Sequence, residues 1–170
     1  MPATGTSCVV RPCLPEDLDA IDAVYNHYVR TSHATFDLQE PTPQWRREWF
    51  HAHPGGRHRA LVAIDGERLA GFASSSRHRP KAAYETSVET SVYVAPECVG
   101  RGVGRALYRT LLESLHGQDV HRALAGIALP NGASVDLHES LGFRRIGVFT
   151  EQGRKFGRYW DVAWYERRID

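Results

Sequence analysis

Gly100, Gly102 and Gly104 fall at every second position, with Arg101 and Arg105 set among them. Three residues without a Cβ let backbone N–H groups converge on one point, and a helix starting behind them adds unpaired donors and the positive end of its dipole. The two guanidiniums add formal charge. The arrangement suits a phosphate or pyrophosphate; from the glycines alone, a Gly-rich connection packed closely against a helix fits equally well. Two phosphate loops are excluded. A P-loop needs G-x-x-x-x-G-K-[ST], and the chain has no Gly-Lys pair. The dinucleotide fingerprint G-x-G-x-x-G fails because its third glycine would fall on Arg105 or Leu107.

The elements that must hold this loop are legible on either side. Ahead of it Val88, Thr90, Val92 and Val94 alternate with Glu89, Ser91 and Tyr93, the period of a strand, and Pro96 ends it. Behind it Leu107, Tyr108, Leu111, Leu112 and Leu115 recur at helical spacing. Glu89 is a carboxylate in mid-strand, tolerated there only if it faces water or a site. Upstream, Arg79, Lys81 and Tyr84 lie in a polar loop, residues 76–84, of otherwise small residues. Arg there can hold a carboxylate or a phosphinate as a bidentate partner, or be an ordinary solvated loop charge.

The remaining chain supplies a scaffold. A short strand over Ser7–Arg11 is followed by a helix opened by Pro15-Glu16-Asp17, with an apolar stripe from Leu18 to Val29. Thr42-Pro43 caps a second helix through Trp45, Trp49 and Phe50, which His53-Pro54-Gly55-Gly56 stops. Arg59–Ile64 and Arg68–Ser75 form a hairpin about Asp65-Gly66, a type I′ signal. After the central helix come a strand over Arg122–Leu129, a short helix over Asn131–Leu141 closed by Gly142, and strands Phe143–Thr150 and Arg158–Arg167 around 152–157. The order β-α-α-β-β-β-α-β-α-β-β is a mixed α/β domain over residues 8–170, behind a disordered N-terminus at 1–7.

Composition narrows the class. A chain of 170 residues with 42% hydrophobic and 24% charged residues is that of a soluble globular domain. A net charge of +1 supplies no general field for nucleic acid or membrane, and no apolar run approaches a membrane span. Three cysteines without metal or redox spacing fit a reduced cytoplasmic protein. Nine histidines are scattered and no H-E-x-x-H occurs, so no metal is expected.

Four segments carry a resemblance: Tyr25-Asn26-His27-Tyr28, Ser87 to Val94, Leu137-His138-Glu139-Ser140-Leu141-Gly142-Phe143, and Lys155 to Asp161. Together with the element order, over roughly residues 8–167, they resemble the GNAT superfamily, in its phosphinothricin, methionine sulfone and L-amino acid N-acetyltransferase branch. The glycine loop is similar to that family's acyl-CoA loop, [Q/R]-x-x-G-x-[G/A], with Val99 where Gln or Arg is preferred. The resemblance implies a GNAT fold, a central mixed, mostly antiparallel sheet flanked by helices, and acetyl-CoA as co-substrate. It implies cofactor contacts from Val92, Tyr93, Val94, Gly100, Arg101, Gly102, Val103, Gly104, Arg105, Asn131 and Ser134.

Acetyl transfer from a thioester needs a neutral amine, so a base must take the ammonium proton. The family places that base at Glu89, where Val88, Tyr84 and Tyr93 are expected to raise its pKa; the plain alternative is an edge charge in solvent. The resemblance puts main-chain donors for the thioester oxygen at Val92–Val94 and the acid for the leaving thiolate at His138. His138 packed beneath the site, and Asn131 merely capping its helix, are the plain alternatives. The branch implies an acceptor site of Phe36, Arg79, Lys81 and Tyr84, with core burial of Phe36 and solvated loop charges at Arg79 and Lys81 as the plain alternatives, and a homodimer with that site near the interface. The implied activity is transfer of acetyl to the α-amine of a small amino-acid-like acceptor in a ternary complex, since no cysteine sits beside a base as an acyl-enzyme requires. Acceptors such as a protein N-terminus, a polyamine or an aminoglycoside are the alternative chemistry. A non-catalytic acyl-CoA-binding module is the alternative class.

Overall fold

A computed structural model describes residues 8–170; the expectation of disorder at 1–7 lies outside the described residues. Strand β1 (Val9–Pro12) leads through a short 3-10 turn to helix α1 (Leu18–Thr31) and then α2 (Pro43–His51). Thr42 caps α2 as expected, its hydroxyl accepting the Trp45 N–H at 3.1 Å. The two helices are clasped by buried Arg46, whose Nε donates to Asp22 at 2.6 Å while its guanidinium lies over the rings of Tyr25, Trp45 and Trp49. The chain does not merely stop at 53–56. With Gly55 and Gly56 at φ +115° and +66°, it turns back so that β2 (Pro54–Gly55) pairs with β3 (His58–Asp65).

Strands β3 and β4 (Arg68–Arg77) form the expected hairpin, but its turn is not type I′. Asp65 pairs with Arg68, which makes Gly66 and Glu67 the central residues, and only Gly66 has positive φ, as in type II′. The double-positive turn occurs instead at the last hairpin. There β7 (Arg144–Lys155) and β8 (Arg158–Arg168) run to Phe156-Gly157, at φ +53° and +73°. The connection expected over 152–157 is therefore mostly strand, with register shifts at 145/147 and 149/153 absorbing the extra residues.

The remaining elements are β5 (Ser87–Val94), α3 (Val103–Leu115), β6 (Arg122–Ala128) and α4 (Gly132–Ser140). Helix α4 ends at Gly142, φ +82°, where Gly142 N–H bonds Glu139 O and Phe143 N–H bonds His138 O, a Schellman closure. The sheet runs β1-β3-β4-β5-β6-β8-β7, with β2 on β3; among the described residues only the β5–β6 pair is parallel, and α3 is its crossover.

Two helical layers enclose the sheet. Phe72 and Tyr93 face one another across β4 and β5 and meet Tyr25 and Tyr28 of α1 and, at Phe72, Trp49 of α2. On the other face lies the apolar stripe of α3, with Leu107, Tyr108, Leu111, Leu112 and Leu115 all buried. Gly71 permits that approach, since an added Cβ would stand 2.7 Å from Tyr93 O and 3.2 Å from Leu107.

Candidate active site

Strands β5 and β6 begin side by side and then part. Ser87–Arg122, Val88–Ala123 and Glu89–Leu124 are paired; beyond them β5 continues along β4 to Val94, and β6 continues along β8. The parted edges enclose a cleft of about 510 Å³, lined on one side by Thr90–Val94 and on the other by Ala125–Ala128. Tyr28 reaches in from α1 and donates to Val94 O at 2.6 Å. Backbone edges with no neighbouring strand are ready to pair with an extended ligand.

The glycine loop closes one end. Gly100 and Gly102 sit at φ +79° and +81°, conformations a side chain resists, and Gly102 opens α3. The first intrahelical bond there runs from Ala106 N–H to Gly102 O, so the N–H groups of Val103, Gly104 and Arg105 precede it. All three residues line the cleft, as do Gly100 and Gly102. Gly104 keeps the floor open, because a Cβ there would stand 3.3 Å from Leu137 and 3.4 Å from Val94. Arg101 is placed elsewhere, its Nη2 on Asp65 of β3 at 2.8 Å.

Asn131 and Ser134 border the opposite wall. Asn131 Oδ1 caps α4 by accepting the Ser134 N–H at 3.2 Å, and its NH₂ remains to offer a ligand. His138 is 3% exposed. Its Nδ1 lies 2.7 Å from Ser134 O, so that nitrogen carries the proton, and Nε2 lies 2.9 Å from the Tyr108 hydroxyl, which donates to it. Burial lowers the His138 pKa and raises that of Tyr108. The pair therefore stands as a neutral imidazole accepting from a neutral phenol, with Tyr108 also 3.2 Å from Thr90 Oγ1.

Glu89 lies at the last paired position, on the face opposite Val88 and Thr90. The expected apolar surround is not what it meets. Val88 is buried on the other face, and the Glu89 carboxylate is 42% exposed beside His78 Nδ1 at 3.5 Å. His78 also touches the acceptor loop, through Arg79 Nε at 3.2 Å and the Tyr84 ring at 6.1 Å between centroids. Glu89, Arg79 and Tyr84 are thus brought together, and Lys81 is exposed on the same loop. Phe36 packs over Gly153 of β7, where a Cβ would come within 2.2 Å of its ring, and Ala34, two residues before it, lines the cleft. Buried Lys155 holds that segment by donating to Thr35 O at 2.8 Å.

The residues missed from the sequence are His78, Tyr108, Thr90, Gly126 and Trp164. Tyr108 carried a helical-spacing signal and no chemical one. Gly126 acts by lacking a side chain: a Cβ there would stand 3.2 Å from the Trp164 ring, which lies across β6 towards His78.

Residues 10–164 match the acetyltransferase (GNAT) domain family. The chain is a GNAT acetyltransferase. Among relatives of this GNAT chain, the phosphinothricin N-acetyltransferase of Streptomyces coelicolor is 54% identical, over 99% of this chain and 100% of that protein. An L-methionine sulfoximine/L-methionine sulfone acetyltransferase of Pseudomonas paraeruginosa is 35% identical over 96% of each chain. A crystal structure of a GNAT superfamily phosphinothricin acetyltransferase from Sinorhizobium meliloti in complex with AcCoA superposes with a TM-score of 0.91, at 29% identity, covering 95% of this chain and 88% of that one. The expected fold, family and N-acetyltransferase class are those found.

Proposed function

We propose that this N-acetyltransferase moves the acetyl group of acetyl-CoA to the α-amine of a small amino-acid-like acceptor, phosphinothricin, a methionine sulfone or sulfoximine, or a related L-amino acid, by direct attack in a ternary complex. One observation carries the reading: Glu89 occupies the last rung before β5 and β6 part, so a carboxylate stands where the cleft begins. The cleft fits the cofactor. The glycine loop and the free N–H groups of the α3 start suit its pyrophosphate, and the unpaired edge of Val92–Val94 suits the amide-bearing pantetheine arm.

Glu89 takes a proton from the acceptor ammonium, directly or through water, and the freed lone pair attacks the thioester carbon. The oxygen gains charge against main-chain N–H groups of Val92–Val94, and the C–S bond breaks as the amide forms. The thiolate takes the hydroxyl proton of Tyr108, held by His138 on the cleft wall, and the second proton that the attacking nitrogen sheds restores the phenol. Arg79 holds the acceptor's carboxylate, with Lys81 and Tyr84 beside it and Phe36 walling its side chain. A cytoplasmic homodimer is part of the same reading. In its support, no described helix is long and apolar enough to cross a membrane, and edge strand β7 exposes Ile146 (48%) and Phe149 (58%).

Thiol release from acetyl-CoA is measured with phosphinothricin, methionine sulfoximine and sulfone, free amino acids, spermidine and an aminoglycoside. Turnover confined to the amino-acid analogues is expected, with Glu89→Gln lowering kcat and Arg79→Ala raising KM for the acceptor. Turnover on spermidine or the aminoglycoside alone refutes the acceptor class.

A further inference from the structure

Beside Glu89 stands a residue that the chemistry above leaves without a task. His78 follows the end of β4 on the face that Glu89 occupies, since Ser76, two residues earlier, is Glu89's partner across the strands. It is only 15% exposed and held on several sides. Tyr84 meets its ring edge-on at 6.1 Å and Trp164 at 6.3 Å, the latter reaching it because Gly126 has no side chain to block the way.

Its two nitrogens are distinguishable. Nε2 receives the Arg79 Nε–H at 3.2 Å, and a guanidinium can only donate, so Nε2 carries the lone pair. The ring proton of the neutral histidine is therefore on Nδ1. That atom is buried, makes no hydrogen bond among the described residues, and stands 3.5 Å from Glu89 Oε2. The gap exceeds a formed hydrogen bond, but the Glu89 carboxylate is within salt-bridge distance of Nδ1, and such contacts tighten when a substrate closes the site.

We infer that His78 is a positioning residue that fixes the base and the acceptor's anchor relative to one another. Nδ1–H holds Glu89 Oε2, which leaves Oε1 for the acceptor amine. Nε2 holds Arg79 by Nε, which leaves both Nη groups as a fork for a carboxylate or phosphinate. An α-amino acid presents its amine and its acid a fixed distance apart. A single ring joining Glu89 to Arg79 sets the matching distance in the protein, so His78 selects acceptors carrying both groups at that spacing. The inference rests on Glu89 as the base and Arg79 as the anchor.

The test uses the full chain with acetyl-CoA and either phosphinothricin or L-methionine sulfone. His78→Phe keeps the ring's packing and removes both nitrogens; His78→Asn keeps a donor near the place of Nδ1. Misplacement of a catalytic group costs up to about 100-fold. His78→Phe is therefore expected to lower kcat/KM for the acceptor by about 10- to 100-fold, with the melting temperature and the KM for acetyl-CoA kept within about twofold. His78→Asn is expected to recover much of kcat but not the acceptor KM. Equal losses in the two variants, or no loss in His78→Phe while Glu89→Gln is impaired, overturn the inference. A fully active Glu89→Gln instead refutes the base assignment. A readout independent of any acceptor is the ring ¹⁵N spectrum of the wild type. The Nδ1–H tautomer of His78, with its Nδ1 signal moved by Glu89→Gln, is expected; an Nε2–H tautomer overturns the inference even if a variant fails to fold.

Discussion

The Tyr108 hydroxyl stands 2.9 Å from His138 Nε2, and the main chain of Ser134 takes the opposite side of the same ring at 2.7 Å. Both nitrogens of a buried imidazole are thereby satisfied without charge. The same device recurs at His53, with Nδ1 on Trp49 O at 2.6 Å and Nε2 on the Ser76 hydroxyl at 2.9 Å.

Tyr108→Phe leaves His138 Nε2 without a donor. An orphaned buried acceptor costs about 1–3 kcal/mol, which in a chain of this size lowers the melting temperature by about 2–4 °C per kcal/mol. Calorimetry reads that loss. Reduced kcat in the same variant, with acetyl-CoA KM unchanged, is expected if the pair returns the proton to the thiolate.

Burial lowers the pKa of His53, His58 and His138 below the ordinary histidine value of 6.5. Below about pH 6.5 the unfolded chain therefore takes up protons that the folded chain refuses, and stability falls with pH until the folded rings titrate too. Above that value their contribution is fully present. Urea midpoints between pH 8 and 5 are expected to decline, with a shallower slope in His53→Gln and His138→Gln.

Glu89→Gln is expected to reduce kcat by about 10²- to 10⁴-fold, the usual contribution of a general base. Gln is isosteric with Glu and keeps an oxygen that can accept from the buried His78 Nδ1–H, so the unfolding midpoint is expected to stay where it is. Stopped-time assays with melting curves check both halves.

Gly102→Ala places a Cβ at φ +81°, a strain of about 1–2 kcal/mol. Its N-cap position makes the loss visible twice, as a lower melting temperature and a higher KM for acetyl-CoA. In the opposite direction, Val99→Arg adds a cation at a 57% exposed lining residue of the same loop. An exposed charge pair is worth about 0.2–1 kcal/mol, so a fall of up to about fivefold in that KM is expected, shrinking as salt is raised.

Local chemistry explains what was legible beforehand. Thr42, Gly142 and the glycines at 100 and 102 act through their own backbone or the next turn, so their residue type announces them. The parting of β5 from β6 is different. Val88 to Val94 alternate evenly through it, because what changes at Glu89 is the neighbour and not the strand. His78 and Trp164 meet across 86 positions of chain through an absent side chain at Gly126, which no periodicity records. The turn rule erred for a related reason. Asp65-Gly66 has the composition of a type I′ turn and Phe156-Gly157 does not, yet the long register of β7 on β8 forces the latter.

Among the described residues, the strand pairing between the β1–β5 leaf and the β6–β8 leaf is limited to Ser87–Arg122, Val88–Ala123 and Glu89–Leu124. Mechanically they are a hinge pin, with the cleft as the gap between two lever arms. Any opening of the leaves swings the far ends, at Val94 and Ala128, through the widest arc and moves the last rung of the pin least. Glu89 is that rung. A cofactor can therefore be admitted and released at the mouth while the carboxylate proposed as the base keeps its position.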